Sequence, residues 1–518
     1  MKMTKRIAAA LLVLCLMLSM GLAGCSSEKE SAPKETASGG ESGEENADVR
    51  EDVVIGLSSD MTTFNPINSA TKSDDSVIQQ IYDPLYFYDD ERNEVPRLAE
   101  KYEVSEDGLT YTFYLKKGVM FQNGEELKAS DVVFTIETAK ESAYVSGYVD
   151  QIDTATAVDD YTVEMKLAAP FAPFFEQICY LYILNEKAVT EAGEDYEMNP
   201  VGTGSYQLVN YEPESKVELT RFDDCYKGKA DIKDVTFRIF TDTNTADVAL
   251  ETGELDFGEV SEASVASAEE AGNLNLEQVS DGSVTYVIMN TTKAPYDNKL
   301  VRQAINYAID RDFMVESATE GIAEATSLMI TPEMFGYPED AKRYEYDPEK
   351  AKELLKKSGV ELPLKLGKIQ CWEGHYKTVA EVLQSNLADV GIETEVEMIE
   401  KNAFLENAFA GEYEIGIMGF IFGGDANACG AAYSSEGMGA FNMARWTSAE
   451  VDELFEQARN IVDVDKRKEL YAQIFDIVQE EALYAPVLNR LVTYGYTKDL
   501  TVDDIDMNAV LVSDMHWK

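Results

Sequence analysis

Two histidines, His375 and His516, are all that 518 residues contain, and they lie far apart. No HExxH zinc motif can be built from them. Six cysteines occur, and no two form a CxxC pair, so neither a zinc ribbon nor a dithiol redox motif is supported. The chain has no GxSxG elbow, no P-loop and no GxGxxG turn. Base is scarce: 44 Lys and Arg stand against 96 Asp and Glu, a formal charge of -52. Phosphate contacts need clustered Lys and Arg, so nucleic acid is excluded as a partner, as is anionic lipid gripped by a basic surface. With acids this abundant, pairs such as Asp159-Asp160 and Asp223-Asp224 read as solvated turns rather than catalytic dyads. No catalytic residue, metal ligand or cofactor is expected. Long apolar runs are missing too, apart from one at the N-terminus, which excludes a multi-span membrane protein.

What is present is globular. Hydrophobic residues make up 45% of the chain, with 28 Tyr and 21 Phe, too many for a disordered chain. The length allows about three structural units. At the N-terminus, Lys2, Lys5 and Arg6 precede an apolar run over 7–22 that is short for a bilayer span, the pattern of a secretory signal peptide. The run ends in Leu22-Ala23-Gly24-Cys25, which resembles the bacterial lipoprotein signal. That resemblance implies cleavage after residue 24, lipidation of Cys25 and anchoring to a membrane through the lipid. Residues 25–52, rich in Glu, Ser, Gly and Ala, read as a disordered acidic tether.

The body begins near Val53. Strict alternation over 109–115 and 161–167 predicts two half-buried strands, and Val217/Leu219 and Val235/Phe237/Ile239 predict two more. Asp347-Pro348 and Gly359 bracket a predicted helix. Thr447 to Glu450 matches a capping box, with Leu454, Phe455, Ala458, Ile461 and Val464 on one side of the helix that follows. Residues 364–371, 376–390 and 392–399 read as strand, helix and strand, a βαβ unit. The fold class is α/β with mixed sheets. No Pro- or Gly-rich linker divides the body, so its domains are expected to share strands. Four cysteines remain besides Cys15 and Cys25. Cys179/Cys225 and Cys371/Cys429 are open as disulfides or as buried thiols.

Longer blocks then carry a family resemblance. Residues 98–115, Lys117-Gly-Val-Met-Phe-Gln-Asn-Gly-Glu125 and Lys128-Ala-Ser-Asp-Val-Val-Phe134 resemble the signature of the extracellular solute-binding proteins of family 5, the oligopeptide, dipeptide and nickel group of ABC importers. Pro200-Val-Gly-Thr-Gly-Ser-Tyr206, Val301 to Arg311 and Tyr346 to Leu355 are similar to later blocks of the same family. The resemblance implies a two-lobed clamshell. Lobe I would span 53–285, with an inserted subdomain about 85–200, and 488–518 would return to it. Lobe II would span 286–487. Crossing strands near 284–290 and 486–492 would form the hinge. The chain would be a monomer that captures a peptide or other small solute and delivers it to a permease and ATPase complex. It would sit at the outer face of a bacterial cell membrane or in the periplasm.

In peptide-binding members, a Trp-x-x-Asp segment of lobe II supplies a carboxylate for the ligand's amine. The matching stretch here, Gly419 to Cys429, has Phe420 in place of Trp and Gly423 in place of Asp, with Asp425 two residues on. Asp425 is therefore either an amine contact or a turn residue. Phe422, Gly424 and Asn427 share that stretch. Trp372 and Tyr376, at a predicted strand end, are candidates for an aromatic wall. Thr63 and Phe64 after the first strand, and Asn442, complete the expected ligand-binding set. Three other readings stay open: a nickel or other metal-chelate binder, a peptide-signal sensor, and an exported hydrolase.

Overall fold

The structure is a computed structural model that describes residues 50–89, 93–505 and 510–518. The signal segment, Cys25 and most of the tether lie outside the described residues. Among the described residues, no helix is long and apolar enough to cross a membrane.

Alternation in the sequence becomes alternation in burial. Strand Thr110–Leu115 buries Tyr111, Phe113 and Leu115, and Thr162–Leu167 buries Val163, Met165 and Leu167. These two pair antiparallel. With Ala99–Val104 and Ile152–Asp159 outside them they form a four-stranded sheet. Helix Ala129–Lys140 packs on it through Val132, Ile136 and Ala139. The sheet is inserted between two strands of a much larger one.

That larger sheet has eleven strands and is mixed. Strand Asp52–Leu57 pairs parallel with Asp234–Ile239 and with Phe257–Val260. On the far side, Ile369–Cys371 pairs parallel with Val396–Met398 and with Ile415–Ile421. Two long antiparallel strands, Leu274–Met289 and Tyr484–Thr497, run through the middle and belong to both halves. Buried apolar residues form one cluster from 53–257 and 494–515, two more from 284–488, and a smaller fourth that joins 249–274 to Ile322.

The long strands shift register at two points, by one residue between Thr285 and Tyr286 and more widely between Ser280 and Val284. Ser280 faces Leu491 and Val284 faces Asn489, so Asp281, Gly282 and Ser283 bulge opposite Arg490 alone. Gly282, at φ +70, supplies the left-handed turn that the bulge needs. The bulge lies where the chain passes from one half of the molecule to the other.

Helix Pro348–Ser358 starts and stops where the sequence predicts: Asp347 caps Lys350 N–H, and Gly359 takes φ +80. Two other expectations need correction. Ser448, not Thr447, has the extended backbone of an N-cap, and its helix ends at Asn460. Asp463 then caps a separate helix, Val464–Glu481, so Ile461 and Val464 do not continue the first. The strands read over 364–371 and 392–399 are each broken in two. The Thr394 hydroxyl donates to the Gly367 carbonyl at 2.7 Å between the pieces. Both pairs of pieces run parallel around helix His375–Asp389, as a βαβ unit requires. Finally, Cys179, Cys225, Cys371 and Cys429 are buried thiols outside any disulfide, which removes both disulfides left open above.

Candidate functional site

A cavity of about 1170 Å³ lies against the long strands. Strands Asp52–Leu57, Asp234–Ile239 and Phe257–Val260 all deliver their carboxyl ends to it. Open α/β sheets bind ligands there, because successive loops and helix N-termini converge at strand ends. A second concavity, about 670 Å³, lies between helices Ala449–Asn460 and Val464–Glu481. It touches neither long strand.

The floor is made by residues 279–281 and 490–494 of the long strands. Tyr144, Tyr148, Tyr180 and Tyr182 from the inserted subdomain form one wall. The Tyr148 and Tyr180 rings stand 5.8 Å apart, and Tyr144 is 59% exposed. Ile421 and Gly423 face them from the other half, and Ile421 is 57% exposed, an unusual state for the end of a buried strand. The two halves also meet away from the floor, where Ala172 N–H donates to the Arg459 carbonyl at 2.6 Å.

Two ion-pair groups stand on the floor. Arg490 donates to Glu262 at 3.0 Å and to Asp281 at 3.4 Å. Burial works against the Arg490 charge, but these carboxylates outweigh it and raise its pKa. The other Asp281 oxygen accepts from Ser283 N–H at 2.9 Å and from the Ser283 hydroxyl. At the other group, Lys72 Nζ donates to Glu259 at 2.5 Å and lies 5.5 Å from the centre of the Tyr494 ring.

His375 sits beside Arg490, its Nε2 3.0 Å from the Thr285 hydroxyl on the first long strand. Burial, and then repulsion from Arg490, holds its pKa down to about 4, so the ring is neutral at pH 7. Between pH 6.5 and about 4 the unfolded chain therefore takes up a proton that the folded chain refuses. Stability rises with pH across that window and is lost as pH falls through it. The expected loss assignable to His375 is about 3 kcal/mol. Denaturant melts of wild type and His375→Asn at pH 7.0, 5.5 and 4.5 measure it. The variant should lack this share of the slope, and parallel slopes would remove the assignment.

The sequence-predicted residues fall differently. Asp425 takes the turn alternative. It caps Asn427 N–H at 2.8 Å, accepts from the Tyr471 hydroxyl at 2.8 Å and forms an ion pair with Arg467. Its carboxylate is buried and engaged, so it does not present a free charge to a ligand amine. Gly424 is pinned by Phe335 N–H, which donates to its carbonyl. Asn427 borders a separate surface hollow. Phe422 is buried, and Phe420 packs on Phe422 and Phe441. Trp372 lies between Tyr376 and Phe404 in the packing of its own half. The Tyr376 hydroxyl fills the space beside Gly419. Asn442 is buried and donates to the Ser434 and Trp446 carbonyls. Thr63 donates to Glu197, and Phe64 is fully buried against Tyr211. None of these ten lines the large cavity. Their carbonyl, carboxylate and ring partners account for each as packing or turn structure.

Sequence reasoning missed Lys72, Glu262, Asp281, Arg490 and the four tyrosines. One signal was available: Arg490 is the only charged residue within the strand Tyr484–Thr497.

Comparisons with known proteins identify the family and the fold. Residues 93–438 match the family described as bacterial extracellular solute-binding proteins, family 5 middle. The dipeptide-binding protein of Escherichia coli (strain K12) is 32% identical over 464 residues, 81% of this chain and 85% of that protein. Among solved structures, the ABC transporter substrate binding protein CtaP from Listeria monocytogenes superposes with a TM-score of 0.82 at 25% identity, over 90% of this chain and 99% of that one. The periplasmic binding protein DppA from Helicobacter pylori, in complex with the peptide STSA, gives a TM-score of 0.71 at 26% identity, over 90% and 98%. The fold is thus the two-lobed one of periplasmic binding proteins.

Proposed function

The chain belongs to family 5 of the bacterial extracellular solute-binding proteins, the binding proteins of ABC importers, and from that premise we propose that it captures short peptides. The observation that carries the reading is the cavity at the strand ends, which offers charges of both signs on its floor and tyrosines on one wall. A peptide brings the matching chemistry: two charged termini, amide edges and side chains that tyrosine rings can pack against. Binding and release, rather than bond making, is the role.

The same proposal assigns the working parts. Lobe I is 53–285 with the insertion about 85–200, lobe II is 286–487, and 488–518 returns to lobe I. The buried clusters on either side of the long strands support this division. The crossing strands near 284–290 and 486–492 are the hinge, with the bulge at 281–283 beside them. Ligand shifts the lobes toward closure by touching both of them, since only a difference in affinity between open and closed states can move that equilibrium. The closed, monomeric protein then docks on a permease and its ATPase. Cys25 carries the lipid that keeps the protein at the outer face of the cell membrane or in the periplasm, and the acidic tether gives it reach.

Native mass spectrometry of residues 53–518 purified from cells, followed by denaturation, tests the reading. A set of released short peptides is the expected result. A single non-peptide solute or a metal chelate would keep the family and replace the ligand.

A further inference from the structure

One face of helix Lys72–Ile81 forms part of the cavity, and it carries acceptors that lack donors. Asp75 and Gln79 are four residues apart, so they stand one above the other on that face. One Asp75 oxygen accepts from the Ser69 hydroxyl at 2.5 Å, and the other has no hydrogen-bond or ion-pair partner among the described residues. Lys72, one turn earlier, is taken by Glu259. Burial raises the Asp75 pKa, and the charge that acts on it is a second carboxylate, Asp74. A carboxylate at a helix N-terminus is ordinary by itself. Gln79 is not. It lines the cavity at 8% exposure, and no donor satisfies its Oε1. Its Nε2 donates to the Val510 carbonyl, 3.5 Å away. An unsatisfied acceptor of this kind is costly until a donor reaches it.

The tyrosine wall adjoins these acceptors. The Ser142 hydroxyl donates to the Ile67 carbonyl at 2.7 Å, which ties the start of the wall to the loop before the helix. Burial and then Asp75 raise the Tyr148 pKa, so the carboxylate lies in the field of that ring. The Tyr148 and Tyr180 rings are 31° from parallel, and their faces attract cations. Four carboxylates line the cavity, Asp75, Glu259, Glu262 and Asp281, against two cations, Lys72 and Arg490. Lys72 is spent on Glu259, and Arg490 on Glu262 and Asp281. Asp75 is the carboxylate left over.

Resting on the peptide reading above, we propose that Asp75, Gln79 and the Tyr148–Tyr180 pair form a pocket for the guanidinium group of an arginine side chain, so that the protein prefers arginine-containing peptides. A guanidinium is planar and carries five donors, enough for Asp75 and Gln79 together, and it stacks on tyrosine faces. An ammonium group enters the same pocket with fewer contacts. The pocket joins the helix to the inserted subdomain, which gives that subdomain a part in choosing the ligand.

Calorimetry tests this with trialanine in which one residue is replaced by arginine, citrulline, lysine or leucine, at each position in turn. Citrulline has the shape of arginine without its charge. On the wild-type protein, arginine at one position should bind at least about ten-fold more tightly than citrulline, the worth of one charge-assisted hydrogen bond, with lysine between them. Asp75→Asn should bring arginine and citrulline to within about three-fold of each other. Tyr148→Leu should cut the lead of arginine over leucine by about three-fold. Gln79→Leu, one turn further along, gives a second test should Asp75→Asn disturb the start of the helix: the lead of arginine over leucine should fall by about ten-fold. Equal binding of arginine and citrulline at every position of the wild-type series overturns the pocket, as does a lead that survives Asp75→Asn, while leaving the peptide reading standing. A wild-type protein that binds no tripeptide overturns both.

Discussion

Asp425→Ala is expected to destabilise the protein by about 4 kcal/mol while leaving the peptide affinity of the folded protein unchanged, with or without a free amine on the peptide. The carboxylate is buried with Arg467, and Tyr471 donates to it at 2.8 Å. Removing one member of a buried ion pair costs about 3–5 kcal/mol, because the other charge stays buried without compensation. The same substitution strips the cap from Asn427 N–H and frees the loop that Phe335 holds through Gly424 and Ala426. The guanidinium also lies 4.1 Å from the centre of the Phe335 ring, so it cannot swing into water without giving up that stacking. A double variant, Asp425→Ala with Arg467→Met, separates charge from shape. It removes both ions and should recover more than half of the loss. Urea melts of the three variants, with peptide titrations alongside, make the measurement. Undiminished stability of Asp425→Ala combined with affinity lost for free-amine peptides alone would return this residue to the ligand.

Much of the fold could be read from local pattern. Period two gave Thr110–Leu115 and Thr162–Leu167, because one face of each strand is buried and the other is not. Asp347-Pro348 and Gly359 marked a helix because each end has its own stereochemical demand. The site was less legible, for reasons that differ by residue. The stretch around Phe420 borders the cavity through its other face. Phe420 and Phe422 turn into lobe II, and their neighbours Ile421 and Gly423 face the cavity. Alternation says that a strand has two faces, and only the assembled sheet says which is the cleft. The loop after the first strand reaches the cavity at Ser58, Pro66 and Ser69, while Thr63 bonds Glu197, 134 positions away, and is packed down by that contact. Arg490 meets Glu262 and Asp281 across 228 and 209 positions. Pairings at such separation leave no trace in local pattern. A lone charge within a buried strand is the one hint that they exist.

The Gly-Thr-Gly block that marks the family in the sequence has a physical reason in the structure, and Gly202→Ala is expected to expose it with a loss of about 4 kcal/mol or more. A methyl group at Gly202 would collide with the Ile81 carbonyl group, which is backbone and cannot rotate away. Overpacking alone costs about 1–3 kcal/mol. Here relief of the clash also breaks a buried network worth about 1 kcal/mol per bond. The Ile81 carbonyl accepts from Gly204 N–H at 2.8 Å and from Gln122 Nε2 at 3.1 Å. Gln122 in turn exchanges hydrogen bonds with both the N–H and the carbonyl of Gly202. Ile81 is the last residue of helix Lys72–Ile81, and the first residue of that helix stands in the cleft. Pushing its C-terminal end away from residues 202–204 therefore tilts the element that carries Lys72. Gly147→Ala is the control, since no atom lies within 4 Å of the added methyl group and the backbone there is not left-handed. It should stay within about 0.5 kcal/mol of wild type. In any Gly202→Ala protein that still folds, peptide affinity should fall along with stability. A Gly202→Ala melt within 1 kcal/mol of wild type would mean that the helix and the block yield to each other, and that the block does not fix the cleft.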